Sequence, residues 1–376
     1  MAQKIQELDN DVVVYQVTDE QQLKDNIYCE RSYCSPDSRY FLFQRKTADD
    51  DQLKWKYLAE YEVCEFGSWE SHVVGRGCAS PEVLNGENIY YTFPTENGGR
   101  GLARVRFDGN GRHVFEIDGD VKPITGMTIS PDENFLAYGV AVNFDPQMFG
   151  VEVVDLDSGN KEIIFQDPCI NNPHPQFESV EGNEILIQHN RGCEFSPEGK
   201  CIKNIGEEGC TLFTVNASDG SKTPLLVGPP HTTSCTGHQQ WIGKTGEVLL
   251  SIRWTEEEAE LGNLLAARPG KPARRVSSGS RFTHVHASVC GRFFCCDNTK
   301  TSEIFVGSIT TGKYSLVCSF GPVPEDAYSL YGQSSHAHPY LSPDLKWVVF
   351  NSCRTGRPEI HVAEVPPELI EELDSE

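Results

Sequence analysis

The sequence predicts an all-β chain folded as a seven-bladed β-propeller with four antiparallel strands to a blade. Three observations predict it. A turn followed by an apolar strand recurs seven times, at roughly 45–60-residue intervals, along all 376 residues. A second Gly-bearing turn follows most of these strands, as in Asp157-Ser158-Gly159, Asp219-Gly220 and Thr310-Thr311-Gly312, and such punctuation between β-branched stretches marks hairpins. Finally, no stretch reads as an interdomain linker, which favours one ring over two β-sandwich domains.

The repeats follow in chain order. Ser35-Pro36-Asp37 opens the first turn, ahead of Tyr40-Phe41-Leu42. Ser130-Pro131-Asp132 and Ser342-Pro343-Asp344 repeat it closely. Degraded copies begin at Asn85-Gly86, Glu181-Gly182-Asn183, Lys244-Thr245-Gly246 and Val289-Cys290-Gly291. Two hairpins per repeat make a four-stranded blade, and a radial array leaves only short, protected edges. The run Asp11 to Val17 precedes the first repeat. It is expected to complete the last blade beside Glu359 to Ala363 and so close the ring. Helix is sparse. Asp19 to Lys24 reads as a helical turn, Glu256 to Glu260 as a surface excursion, and Pro366 to Glu372 as a short helix. The propeller is expected to span 1–376 as a single domain, with an acidic, solvated tail at about 366–376.

Composition narrows the functions. Lys and Arg total 32 against 55 Asp and Glu, a net charge of −23, so the long-range field repels phosphate. Nucleic acid and anionic membrane are therefore not expected partners. No apolar run reaches the ~18 residues that span a bilayer, and the first residues lack a secretory core. A cytoplasmic location is expected. The 14 cysteines include no CxxC pair, which removes zinc-ribbon and thioredoxin-like readings. Most are expected to be buried thiols acting as small hydrophobes.

Candidate chemistry lies among the 11 histidines. Two groups, His284 with His286 and His336 with His338, each stand just before a repeat turn. Equivalent positions in two blades would converge on the ring axis. Residues two apart on a strand share a face, so His336 and His338 can point together, with Gln333 reaching them from the preceding loop. Imidazole suits divalent transition metals, and a His and Gln set without thiolate suggests an open Lewis-acid site, more Mn²⁺-like than structural zinc. His238, one blade earlier, is placed as a general base. His174 and His189 flank the blade before that and could line the same mouth.

The strings "GHQQW", "THVHASVCG", "GQSSHAHPYLSPD" and "NPHPQF…HNRG" together resemble the oligogalacturonate lyase family, over essentially the whole repeat region. The resemblance implies a seven-bladed propeller holding a Mn²⁺-type cation on three His and one Gln. Carried over, the ligands are Gln333, His336, His338 and His284, the last preferred to His286 by its distance from Gly291, and His238 is the base. The implied partner is an acidic oligosaccharide, a short α-1,4-linked galacturonate chain of the kind pectin breakdown yields. The implied reaction is β-elimination to a 4,5-unsaturated uronate. Two positions depart from the family pattern. Cys290 stands where members carry Asp. The strand Gly209 to Val215 lacks a substrate-contacting Arg, so Arg191 and Arg354 are the candidates to replace it.

Other classes compete. A non-catalytic propeller, TolB-like or peptidase-associated, would act as a binding module with no metal. A lactonase-type metal hydrolase would use more Asp, Glu and Asn ligands. No G-x-S-x-G elbow is present for a serine hydrolase.

Overall fold

A computed structural model describes residues 2–7, 11–18, 23–46, 59–78, 80–83 and 87–375. Seven antiparallel sheets stand in a ring as the blades of a propeller. Blade 3 shows the regular form: strands Met127–Ile129, Phe135–Phe144, Gln147–Asp155 and Lys161–Asp167 pair in sequence order. The first strands of neighbouring blades pack on one another and line the axis.

The Ser-Pro-Asp turns have one shared mechanism. Ser35, Ser130 and Ser342 each donate a hydroxyl hydrogen bond to the Asp two residues on, at 2.6, 2.5 and 2.5 Å. The same hydroxyls accept the backbone N–H of Tyr40, Phe135 and Trp347 at 2.9, 2.9 and 3.0 Å. One side chain thus satisfies the donor that opens the next strand. Blade 6 keeps the device with Cys290 in the Asp position: Ser288 Oγ lies 3.3 Å from its Sγ and accepts from Phe293 N at 3.0 Å. The fourth residue of each turn is left-handed, namely Ser38, Glu133 and Leu345, and in blade 6 Gly291, the residue type that adopts it without strain.

Closure occurs as expected, with one addition. Val13–Gln16 pairs antiparallel with Glu359–Glu364, in the register Val14 to Ala363. A further strand, Gln3–Glu7, pairs outside it, so the closing blade has five strands rather than four. Blade 4 also carries an unexpected small hairpin, Glu194–Phe195 with Cys201–Lys203.

The core is divided among the gaps between blades. Leu136 and Tyr138 pack with Tyr90 and Leu102 across the gap between blades 2 and 3. Phe294 and Cys296 pack with Leu249 and Leu264 between blades 5 and 6. Each sheet is therefore apolar on both faces, and every blade needs both neighbours. Most cysteines are buried in these layers, and all are free.

The minor elements differ from expectation in detail. Of the expected turn at Asp19 to Lys24, residues 19–22 lie outside the described residues, as do Asn85 and Gly86, and Lys24–Asp25 is a strand. Glu256–Leu261 forms a helix capped by Thr255, and its buried Glu258 pairs with Arg275. The C-terminal helix, Pro367–Asp374, is not a solvated end. Leu373 is buried against the core between blades 6 and 7, and Asp374 pairs with Arg292 at 2.6 Å. Its apolar residues fall on one face, which the acidic composition obscured. No helix among the described residues is long and apolar enough to cross a membrane.

Candidate metal centre

Four successive blades place a histidine at one register. In blades 4 to 7, His174, His238, His284 and His338 stand four residues before Glu178, Ile242, Ser288 and Ser342, whose backbone N–H groups close the equivalent turns. Because first strands line the axis, these side chains meet in the central channel. The His284 ring centroid lies 4.4 Å from that of His238 and 4.4 Å from that of His338. His336, two residues before His338, adds a fifth ring 4.9 Å from His284.

Local structure aims each ring. His336 follows the 3-10 turn Gly332–Ser335 and donates its N–H to Gln333 O at 3.0 Å. Asn351 Nδ2 donates to His336 O at 3.2 Å, and Asn26 Nδ2 donates to His338 O at 2.8 Å. His338 itself is left-handed and is followed by Pro339. His238 lies in Cys235–Trp241 at a register break between Cys235 and Gln239. Such bulges redirect side chains. Here Gly237, at φ 91°, supplies the bend.

Asp297 holds His284 at two points. One carboxylate oxygen accepts His284 N at 2.9 Å, and the other lies 2.7 Å from Nδ1, with both residues buried. The ring's Nε2 is thereby left for another partner. Tyr28 lies among these rings, its hydroxyl 2.8 Å from His238 Nδ1 and its ring 4.5 Å from His338. His174 Nδ1 lies 3.0 Å from Glu30 Oε2. Burial lowers the His174 pKa, but the charge and hydrogen bond of Glu30 outweigh it and raise the net value. His238 and His338 are held well below the usual range, first by burial and then by neighbouring imidazoles, and His336 is brought to about 4 for the same reasons.

The donor chemistry fits a divalent cation. One ligand nitrogen from each of His284, His336 and His338 lies within 4.8 Å of the others. Both ring nitrogens of His338 and Nδ1 of His336 are buried without a hydrogen-bond partner. Imidazole nitrogens converging on one point are what a borderline transition ion requires, and Asp297 behind His284 is the usual carboxylate support.

Solved structures carry this comparison to known proteins. An oligogalacturonate lyase of Vibrio parahaemolyticus superposes with a TM-score of 0.74 over 98% of each chain, at 15% identity. An oligogalacturonate lyase in complex with manganese gives 0.73, covering 98% of this chain and 97% of that one, at 16% identity. The chain shares the oligogalacturonate lyase fold. The Cps50 (Swd1) propeller of Myceliophteria thermophila scores 0.52 at 10% identity, covering 91% of this chain and 97% of that one. No protein-family model and no curated protein matches the sequence.

The other sequence-derived candidates fall as follows. Gln333 is exposed and, with Tyr28, His174 and Lys46, lines a pocket of about 270 Å³. His286 bonds Cys29 O at 3.0 Å, apart from the ligand trio. His189 pairs with Asp167 at 3.1 Å. Arg191 donates to the carbonyls of Glu208 and Gly209, and Arg354 to that of Ser319 at 2.7 Å. Sequence reasoning missed Tyr28, Glu30, Asn26 and Asp297. The first three lie on a connecting segment with no repeat signature. Asp297 reads as one polar residue ending an apolar strand, and only the fold shows that it faces His284.

Proposed function

We propose that the protein is a metal-dependent lyase that cleaves short α-1,4-linked galacturonate oligomers by β-elimination. The convergence of His284, His336 and His338, with His238 at 4.4 Å from His284, carries it. The likeness in fold to an oligogalacturonate lyase that binds manganese supports the substrate class. The three imidazoles would hold Mn²⁺, with Gln333 turning in from the pocket rim as the fourth protein ligand.

Such an ion would bind the uronate carboxylate and stabilise the negative charge that develops as the C5 proton leaves. His238 takes that proton. Its Nδ1–H donates to the Tyr28 oxygen in the tautomer a base needs, which leaves the lone pair on Nε2. The C5 electron pair forms the C4–C5 double bond, the C4 glycosidic oxygen departs, and no water is consumed. Lys46, whose Nζ is 2.7 Å from Ser334 Oγ and 3.7 Å from Asp25 Oδ2, stands on the pocket wall, where a second uronate carboxylate would share it with Asp25. With Arg191 and Arg354 bound to backbone carbonyls, Lys46 is the better candidate. Local cations of this kind let a chain of net charge −23 accept a polyanion.

The test follows the ultraviolet absorbance of the unsaturated uronate with di- and trigalacturonate and added Mn²⁺. Absorbance should grow with the native protein and stop on adding EDTA. With His238→Ala it should be absent while Mn²⁺ binding persists. No growth with either oligomer while Mn²⁺ is bound would overturn the substrate assignment.

A further inference from the structure

A second group of metal-capable side chains lies outside the channel and uses different donors. Lys161–Asp167 ends blade 3, and the connector that follows carries Cys169 and then His174 into the channel. One donor atom from each of Asp167, Cys169 and His189 lies within 4.8 Å of the others. A second thiol adjoins this trio: Cys193 Sγ donates to the carbonyl of Pro168, the residue between Asp167 and Cys169, at 3.4 Å and accepts from Gln147 Nε2 at 3.5 Å.

Two short segments, 167–169 and 189–193, supply all four groups. They are fixed to each other before any ion is considered. Asn190 N donates to Cys169 O at 2.8 Å, and Gln147 Nε2 donates to Pro168 O at 2.8 Å and Cys193 O at 3.1 Å. Cys169 N donates to Asp167 Oδ1 at 2.8 Å, which orients that carboxylate. The small hairpin that follows begins at Glu194, directly after Cys193.

We propose that Asp167, Cys169, His189 and Cys193 form a structural site for a thiophilic divalent cation of the zinc class. Asp167, Cys169 and His189 supply three donors, and the Cys193 thiol, turning in from the Pro168 carbonyl, would complete the four that a closed tetrahedral site takes. Thiolate selects zinc over manganese, whereas the all-imidazole trio of the channel does not, so the two sites would sort metals by donor type. Charge balances as well. Two thiolates and one carboxylate carry three negative charges, against a dication and Lys222, whose Nζ is 3.9 Å from Asp167 Oδ2. On binding, both thiols release their protons to solvent and His189 Nε2, now facing Asp167, becomes the donor to the metal. The ion would pin the blade 3 to blade 4 connector that delivers His174. The inference is independent of the lyase assignment.

Cobalt titration of the fully reduced protein tests it. Co²⁺ bound by thiolate gives a near-ultraviolet charge-transfer band, and an imidazole site without thiol does not. The band should appear in the native protein and disappear on adding zinc. It should be lost in Cys169→Ser and in Cys193→Ser but kept in His336→Ala, which disables the channel trio. Absence of the band in native protein, or its survival in both cysteine variants, would overturn the site.

Discussion

Asp297 shows how much a single residue sets at the centre of the ring. Its carboxylate fixes both the backbone and Nδ1 of His284, and burial keeps water from substituting for it. Asp297→Asn preserves volume but weakens the hold on the Nδ1 proton. Mn²⁺ affinity should fall roughly 10–100-fold, as for other carboxylates behind metal-bound histidines. Calorimetric titration with Mn²⁺ measures it, and an unchanged dissociation constant would remove Asp297 from the metal's support. Its role was not legible in "FFCCDN", because a buried Asp and a solvated one look alike until the opposing strand is known. His238, His336 and His338 were legible, because their spacing from the repeat turns shows in the sequence itself.

At the scale of the element, one turn device recurs in blades 1, 3, 6 and 7 although the sequences around it have diverged. The hydroxyl of Ser342 bridges Asp344 and Trp347 N and is fully buried. Ser342→Ala leaves that N–H without its side-chain acceptor, so stability should drop by about 1–3 kcal/mol. Urea unfolding followed by tryptophan fluorescence would show the shift, and a midpoint equal to the parent's would mean the turn is held by backbone alone. These turns could be read because Ser, Pro, Asp and Gly act locally. The five-residue edge strand, the small hairpin of blade 4 and the docked C-terminal helix could not. Each is stabilised by contacts with residues far away in sequence, as Leu373 is with the core between blades 6 and 7.

For the whole molecule, the decisive feature is that the ring closes through the N-terminal strand. Val12 and Val14 are fully buried against the last blade, and Val13–Gln16 supplies the ladder partner of Glu359–Glu364. Removing residues 1–17 would take away both valines and the apolar burial they supply, roughly 3–6 kcal/mol for those two side chains, and leave Glu359–Glu364 as an unpaired edge open to self-association. The truncated protein should unfold at lower urea and elute as larger species, and a monomer of parental stability would show that the ring closes without this strand. The sequence by itself determined the number of blades, their strand order and the histidines that recur in register, since periodicity and turn chemistry are local properties carried by each repeat. Only the tertiary structure decided that Tyr28 lies against His238 and His338, that Asp297 stands behind His284, and that Asp167, Cys169 and His189 meet. Those are contacts between segments tens to hundreds of residues apart, and nothing local in a chain encodes which of its distant side chains the closed ring will bring within a few ångströms.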